Sequence, residues 1–452
     1  MAEALSPADR SSLAAEQGAV NMTVAGVLTF DRHPAITREA IAARVAERIH
    51  LVPRLRQRIA EPAMGLANPV WVDDDHFDID LHLRSTVLPA PGGPEELGAL
   101  VGRELSGRLD RTRPLWDMLV IDGLQGDRTA LLFRVHHALV DGVAAIALAV
   151  VALDVTPEPA SVPPAEGWDP RPYAVRRHLA TLARGPFTQA QRMLFDATGR
   201  MLDPQPLRAA GELRRATELL AELARNRPQA PPTPLNDPLG RTRRFALAEA
   251  PLGDIKRAAK AAGGTVNDVI LAAVAGMLRL YLDDARGREP VALVPVNVRR
   301  AGEEGGNRIS TVLVDLPAEI TDPVQRIRVV GERTRALKDS AAVRAGTLMV
   351  GAAGLAPPLV SSMLARALSG VRAFNIVVSN LPGPQQPLYL NGAEVRSIHP
   401  VVPLNPANQR LSLGVLSYNG GVYFGLLGDR ALQPAVAEAQ HALQVALDEL
   451  VG

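Results

Sequence analysis

Residues 129–142, TALLFRVHHALVDG, decide how the first half of the chain reads. Thr129–Val135 is an apolar, β-compatible run, and it stops at His136-His137-Ala138-Leu139-Val140-Asp141-Gly142. A buried strand ends there, and a helix of small residues begins at Gly142 and runs to about Leu153. Adjacent strand residues face opposite ways, so one histidine can reach a cavity while the other packs inward. Imidazole titrates close to working pH, which suits a general base. Gly142 permits a sharp turn into the helix. The competing reading of a His-His pair is plain packing. A metal held by His136, His137 and Asp141 is disfavoured, because neighbouring strand histidines point apart and no other histidine cluster supplies ligands.

Outward from this stretch, Leu115–Ile121 pairs with Thr129–Val135 as a hairpin across Gly123, Gly126 and Asp127. Upstream lie a strand over 18–31 and a helix over Ile36–Arg58, with Thr37 as N-cap and Glu39 near its start. Strand-like stretches follow at 69–72 and 79–83, then a helix over 94–108. Downstream, Pro157, Pro159, Pro163, Pro164 and Pro170 mark a linker. Residues 171–227 are helical in pattern and Arg-rich, and Pro228–Pro238 closes them. Mixed patterning resumes near Arg244. A helix starts through Thr265 and runs to Leu282. Strands fall at 291–298, 310–316, 374–379, 410–418 and 421–427, the last two joined over Asn419-Gly420. Helices cover 322–338 and 433–450. The expected division is therefore 1–165, a bridge over 166–238, and 239–452.

Composition narrows the function classes. At 452 residues the chain suggests two domains. With 47% hydrophobic and 21% charged residues it is globular rather than disordered. A net charge of +1 lacks the basic excess of a nucleic-acid binder. Without cysteine there is no disulfide, thiolate metal site or cysteine nucleophile. Met1–Glu16 lacks the basic start and apolar core of a signal peptide. The longest apolar run, 345–364, is interrupted by Pro357 and Pro358. No Gly-x-Ser-x-Gly elbow, P-loop or Gly-x-Gly-x-x-Gly occurs. Direct attack within a ternary complex is then the economical mechanism.

Several short segments appear in one order: Leu5-Ser6-Pro7-Ala8-Asp9, Pro53-Arg54-Leu55-Arg56, Phe77-Asp78-Ile79-Asp80, and Leu109-Asp110-Arg111 to Pro114-Leu115-Trp116. After His136–Gly142 come Val266-Asn267-Asp268-Val269, Pro295-Val296-Asn297-Val298-Arg299, Gly306-Asn307 and Ser379-Asn380-Leu381-Pro382-Gly383-Pro384. Together they resemble the bacterial wax ester synthase/diacylglycerol acyltransferase family, over nearly the whole chain. The resemblance implies an α/β fold of two chloramphenicol-acetyltransferase-like domains, each a mixed sheet flanked by helices, with an active-site tunnel between them. It implies fatty acyl transfer from acyl-CoA to diacylglycerol or a long-chain alcohol, with acyl-CoA as substrate and no cofactor or metal.

By the same resemblance His137 is the general base, in a catalytic group with His136, Asp141 and Asn267. Asp141 pairs with Arg299 in a structural role, and Gly142, Asp268 and Asn307 support the site. Asn267 and Asp268 also read as a helix cap, Ser379 as an oxyanion donor or a turn residue, and Pro114, Leu115 and Trp116 as tunnel wall or core anchor. One departure is local: the family often carries a bulkier aromatic after Pro-x-Asp, where Ser11 and Ser12 stand here.

The same histidine motif occurs in condensation domains that use carrier-bound substrates. A non-catalytic lipid-binding protein is the other alternative. The expected location is cytoplasmic, peripheral on the inner membrane or on lipid inclusions. The Arg-rich 171–227 segment and the apolar 345–369 stretch are the candidate lipid contacts.

Overall fold

The computed structural model describes residues 3–61, 69–139, 151–163, 167–171, 230–282, 289–297, 309–338, 372–405 and 408–451. The first half contributes β1 (Glu3–Ala4), β2 (Thr23–Asp31), β3 (Gln57–Ala60), β4 (Val70–Asp73), β5 (Leu83–Val87), β6 (Trp116–Leu124) and β7 (Arg128–His136). The second contributes β8 (Arg243–Pro251), β9 (Val291–Asn297), β10 (Ile309–Asp315), β11 (Ile376–Pro382), β12 (Tyr389–Leu390), β13 (Ala393–Val401), β14 (Leu411–Tyr418) and β15 (Gly421–Asp429). Two six-stranded sheets result, ordered β12-β13-β2-β7-β6-β5 and β10-β9-β11-β14-β15-β8, beside a small sheet β1-β4-β3. Both large sheets mix parallel and antiparallel neighbours: β5 runs parallel to β6, and β11 parallel to β14 and β9. The expected mixed α/β architecture is the one found.

Side-chain alternation builds the first sheet. β2 buries every second residue over most of its length, with Val27 and Phe30 fully covered. β13 alternates in the same way and pairs antiparallel with β2, from Val401 opposite Ala25 to Val395 opposite Phe30. This strand crosses the expected division of the chain. A boundary at 239 assigns 389–401 to the second domain, yet these residues complete the first sheet. Without β13, β2 would present an open edge. A second tie between the halves is the helix Pro94–Glu104, packed on β8. Gly98 and Gly102 make that approach possible: a Cβ on Gly98 would stand 2.3 Å from the Phe245 carbonyl oxygen. Leu97, Leu100 and Val101 share one apolar cluster with Phe245 and Leu427 across the contact.

Local signals explain most boundaries. The first long helix is Arg38–Arg48, capped by the Thr37 hydroxyl on the Ala40 N–H. It stops well short of the expected Arg58. Pro53 has no N–H and its ring would collide with the carbonyl of Ile49, so the chain passes into two short 3₁₀ turns. Residues 79–81 form a 3₁₀ turn started by Asp78 rather than a strand. The Asn419-Gly420 turn joining β14 to β15 has φ of 43° and 81°, as a tight hairpin requires. Pro7–Ala15, not assigned from sequence, is a helix with a capping box between Ser6 and Asp9 and proline at its start.

The helix Val266–Tyr281 is buried on nearly all sides, between the sheet, Pro323–Lys338 and Val436–Val451. Among the described residues no single helix is long and apolar enough to cross a membrane. Residues 142–150 of the expected helix and the candidate lipid contacts at 345–369 lie outside the described residues, as does nearly all of 171–227.

Candidate active site

β7 lies between β2 and β6, with His136 opposite Thr23 and Val135 opposite Trp116. The strand ends at His136, and His137–Leu139 turns as a 3₁₀ helix. This change of geometry separates the two imidazoles. His136 is 1% exposed, whereas His137 is exposed. The backbone of both is fixed: the His136 N–H donates to the Leu115 carbonyl at 3.0 Å, and the His137 N–H to the Met22 carbonyl at 2.8 Å.

The inward ring has a defined role. The Ala138 N–H donates to His136 Nδ1 at 3.0 Å, so Nδ1 carries the lone pair and Nε2 the proton. Nε2 faces Glu16 Oε1 at 3.5 Å, and both side chains are 1% exposed. Glu16 also accepts from the Met22 N–H at 3.2 Å and from Arg111 at 2.9 Å. Burial alone would raise the Glu16 carboxyl. The adjacent His136 imidazole, the Arg111 guanidinium and the Met22 N–H outweigh it and hold the pKa down to about 2. His136 thus supports the turn from within the fold. On the outward side, His137 Nδ1 lies 3.3 Å from the Ser12 hydroxyl oxygen.

Pro114, Leu115 and Trp116 are all buried, Leu115 and Trp116 at 0% and 1% exposure. The Trp116 indole N–H donates to the Leu55 carbonyl at 2.8 Å, and its ring stacks on His82 at 4.4 Å. Among the described residues all three are packed in the core, and Leu115 holds the end of β7 through its carbonyl.

In the second half, Thr265 caps the helix Val266–Tyr281 in a full capping box with Asp268. Asp268 Oδ2 accepts from the Thr265 N–H and hydroxyl, both at 2.8 Å. Its Oδ1 accepts from the Thr334 hydroxyl at 2.8 Å. Asp268 is therefore committed to the scaffold. Its neighbour Asn267 is half-buried and accepts from the Asn380 amide at 3.2 Å. That bond joins the Val266–Val269 motif to β11, where Ser379 sits half-buried opposite Gly414 of β14. Asp141, Gly142, Arg299 and Asn307 lie outside the described residues.

Sequence reasoning missed Ser12, Glu16 and Arg111 as site components. The capping box at Ser6 could have revealed the helix that carries Ser12 and Glu16. Nothing in the spacing links that helix to residues 136 and 137, some 120 positions away.

Comparison with known proteins agrees with this layout. Residues 5–270 match the family profile of the wax ester synthase/diacylglycerol acyltransferase catalytic domain, and residues 305–451 match that of the WS/DGAT C-terminal domain. A Mycobacterium tuberculosis protein with a provisional diacylglycerol O-acyltransferase name is 35% identical over 95% of this chain and 84% of its own length. One from Mycobacterium bovis, also provisionally named so, is 32% identical over 98% of both chains. Among solved structures, the wax ester synthase/diacylglycerol acyltransferase from Marinobacter aquaeolei VT8 superposes with a TM-score of 0.68 and 28% identity, covering 99% of this chain and 98% of that one. The first condensation domain of the calcium-dependent antibiotic synthetase shares the fold alone, with a TM-score of 0.59 and 18% identity over 100% of this chain and 96% of that one. The chain belongs to the wax ester synthase/diacylglycerol acyltransferase family of acyltransferases.

Proposed function

We propose that this protein transfers a fatty acyl group from a coenzyme A thioester to an alcohol, with diacylglycerol or a long-chain alcohol as acceptor and His137 as general base. The observation that carries this reading is the split of the histidine pair. One ring is locked into the fold, and the other is presented outward on a turn whose backbone is fixed. The names of the mycobacterial relatives favour diacylglycerol.

The chemistry balances without a covalent enzyme intermediate. His137 Nε2 takes the acceptor hydroxyl proton as that oxygen attacks the thioester carbonyl. The tetrahedral intermediate collapses with cleavage of the C–S bond, and the imidazolium returns its proton to the departing CoA sulfur. Ser379 is the candidate donor to the oxyanion, a contribution typically worth about 2.7–4 kcal/mol of the barrier. Asn267 orders the same region through Asn380. Asp141 and Arg299 are proposed as a structural pair behind the motif. A passage closed to water would protect the thioester from hydrolysis. Because the acceptors are lipids, we place the enzyme in the cytoplasm at a membrane or inclusion surface, held peripherally; release from vesicles by high salt tests this.

The deciding experiment supplies palmitoyl-CoA with either diacylglycerol or hexadecanol and follows thiol release. His137→Ala should lower kcat by about 10²–10⁴-fold with both acceptors while the unfolding temperature holds. Turnover at the wild-type rate would remove His137 from the mechanism. A wild-type protein that binds palmitoyl-CoA and releases no thiol with either alcohol would leave lipid binding as the function.

A further inference from the structure

We infer that the N-terminal helix Pro7–Ala15, with Glu16 at its end, is a positioning clamp that grips both motif histidines and that Ser12 sets the tautomer of His137. This rests on His137 being the base.

Ser12 and Glu16 are four residues apart, one helical turn and about 6 Å along the axis. They therefore lie on one face, the face that packs on the turn His137–Leu139. Ser12 is 9% exposed and Glu16 4%. Ser12 Oγ meets Nδ1 of His137 at 3.3 Å, and Glu16 Oε1 meets Nε2 of His136 at 3.5 Å. Two consecutive histidines are thus met by successive turns of one helix. Arg111 fastens that helix from behind, donating to the Glu16 carboxylate at 2.9 Å and to the Leu13 carbonyl at 3.3 Å.

The Ser12 contact has a chemical consequence. A neutral imidazole carries one proton. If the Ser12 hydroxyl donated to Nδ1, the proton would sit on Nε2, and that nitrogen could not accept one from the acceptor alcohol. If Ser12 oxygen accepts from Nδ1–H, Nε2 keeps its lone pair and is the base. The same acceptor then remains hydrogen-bonded while the ring is an imidazolium, between the two proton transfers. Ser12 is accordingly a positioning residue, acting through His137 and not on substrate.

Two measurements on the full chain test this. ¹⁵N NMR of histidine-labelled protein should find a His137 ring protonated at Nδ1 and bare at Nε2; Ser12→Ala should turn this into a tautomer mixture. In steady-state assays with palmitoyl-CoA and diacylglycerol, or with hexadecanol as acceptor, Ser12→Ala should lower kcat roughly tenfold with KM for both substrates unchanged. Ser12→Thr, which keeps the hydroxyl, should restore most of it. A wild-type ring protonated at Nε2 overturns the inference whatever any variant does. So does a Ser12→Ala protein with wild-type kcat. A palmitoyl adduct on Ser12, found by intact mass after mixing with palmitoyl-CoA alone, would overturn it in another way by making Ser12 a nucleophile. None of these results resembles failure of the general-base reading, which appears as unimpaired His137→Ala.

Discussion

The His136–His137 pair in the first half and the Asn267–Asp268 pair in the second solve one problem in opposite order. Each holds one residue in the scaffold and presents its neighbour. His136 is buried at a strand end and His137 projects from the turn that follows; Asp268 is buried in a capping box and Asn267 precedes it, half-buried. The means differ. His136 is held by residues remote in sequence, Glu16 and Leu115. Asp268 is held mostly by Thr265, three positions away, with Thr334 as the distant partner among the described residues. A local anchor depends on the helix that contains it, whereas a long-range anchor exists only once the fold has closed.

The sharpest way to break this comparison is to remove the local anchor. Asp268→Ala removes the carboxylate arm of the capping box, while the backbone N–H at that position still donates to the Thr265 hydroxyl, and it leaves the Thr334 hydroxyl with only the Gly331 carbonyl at 3.2 Å. Losing hydrogen bonds to a charged acceptor costs about 1.5–3 kcal/mol each before such compensation. A combined loss of about 3 kcal/mol is expected in denaturant unfolding, with KM for acyl-CoA unchanged in the folded fraction. A variant of wild-type stability with impaired kcat would move Asp268 from scaffold to chemistry.

The long-range anchor is tested through its charge. The Glu16 carboxyl is lowered from its ordinary 4.5 to about 2, so it stabilises the folded protein fully above about pH 4.5. That contribution fades as pH falls and is gone below about pH 2. Glu16→Gln keeps an acceptor for the Met22 N–H but not the charge. It should cost about 2 kcal/mol at pH 7. Unfolding curves of wild type and variant should converge between pH 4.5 and 2. A gap that persists at pH 2 would mean that shape, not charge, holds His136.

The difference between the two pairs also marks what a sequence discloses. Thr265 before an apolar run, with Asp268 three residues on, announces a cap before any coordinates exist. Asn419-Gly420 announces its hairpin equally well, and the hydrophobic run before His136 announces a strand end. What stays hidden is pairing across the chain. β13 reads as an alternating strand only weakly, through Pro400 and Arg396, and nothing local says that it crosses to β2. Arg111 stands in a recognisable segment, yet its hold on Glu16 depends on where two loops meet. Pro114-Leu115-Trp116 was legible as important, but its burial in the core was not.

The smallest effect is expected at Asn267. It occupies the second helical position, so alanine there keeps the Thr265 cap intact and is the better helix former. The amide bond to Asn380 is worth about 1 kcal/mol, partly offset by that propensity. Asn267→Ala should therefore lose less than about 1 kcal/mol of stability, well below the loss at its neighbour. If the Asn267–Asn380 contact orders the region of Ser379 for the oxyanion, kcat should still fall, by roughly tenfold. Measuring unfolding and kcat on the same preparation separates the two residues. Equal destabilisation at 267 and 268 with kcat intact would make both of them caps, and the analogy with the histidine pair would end there.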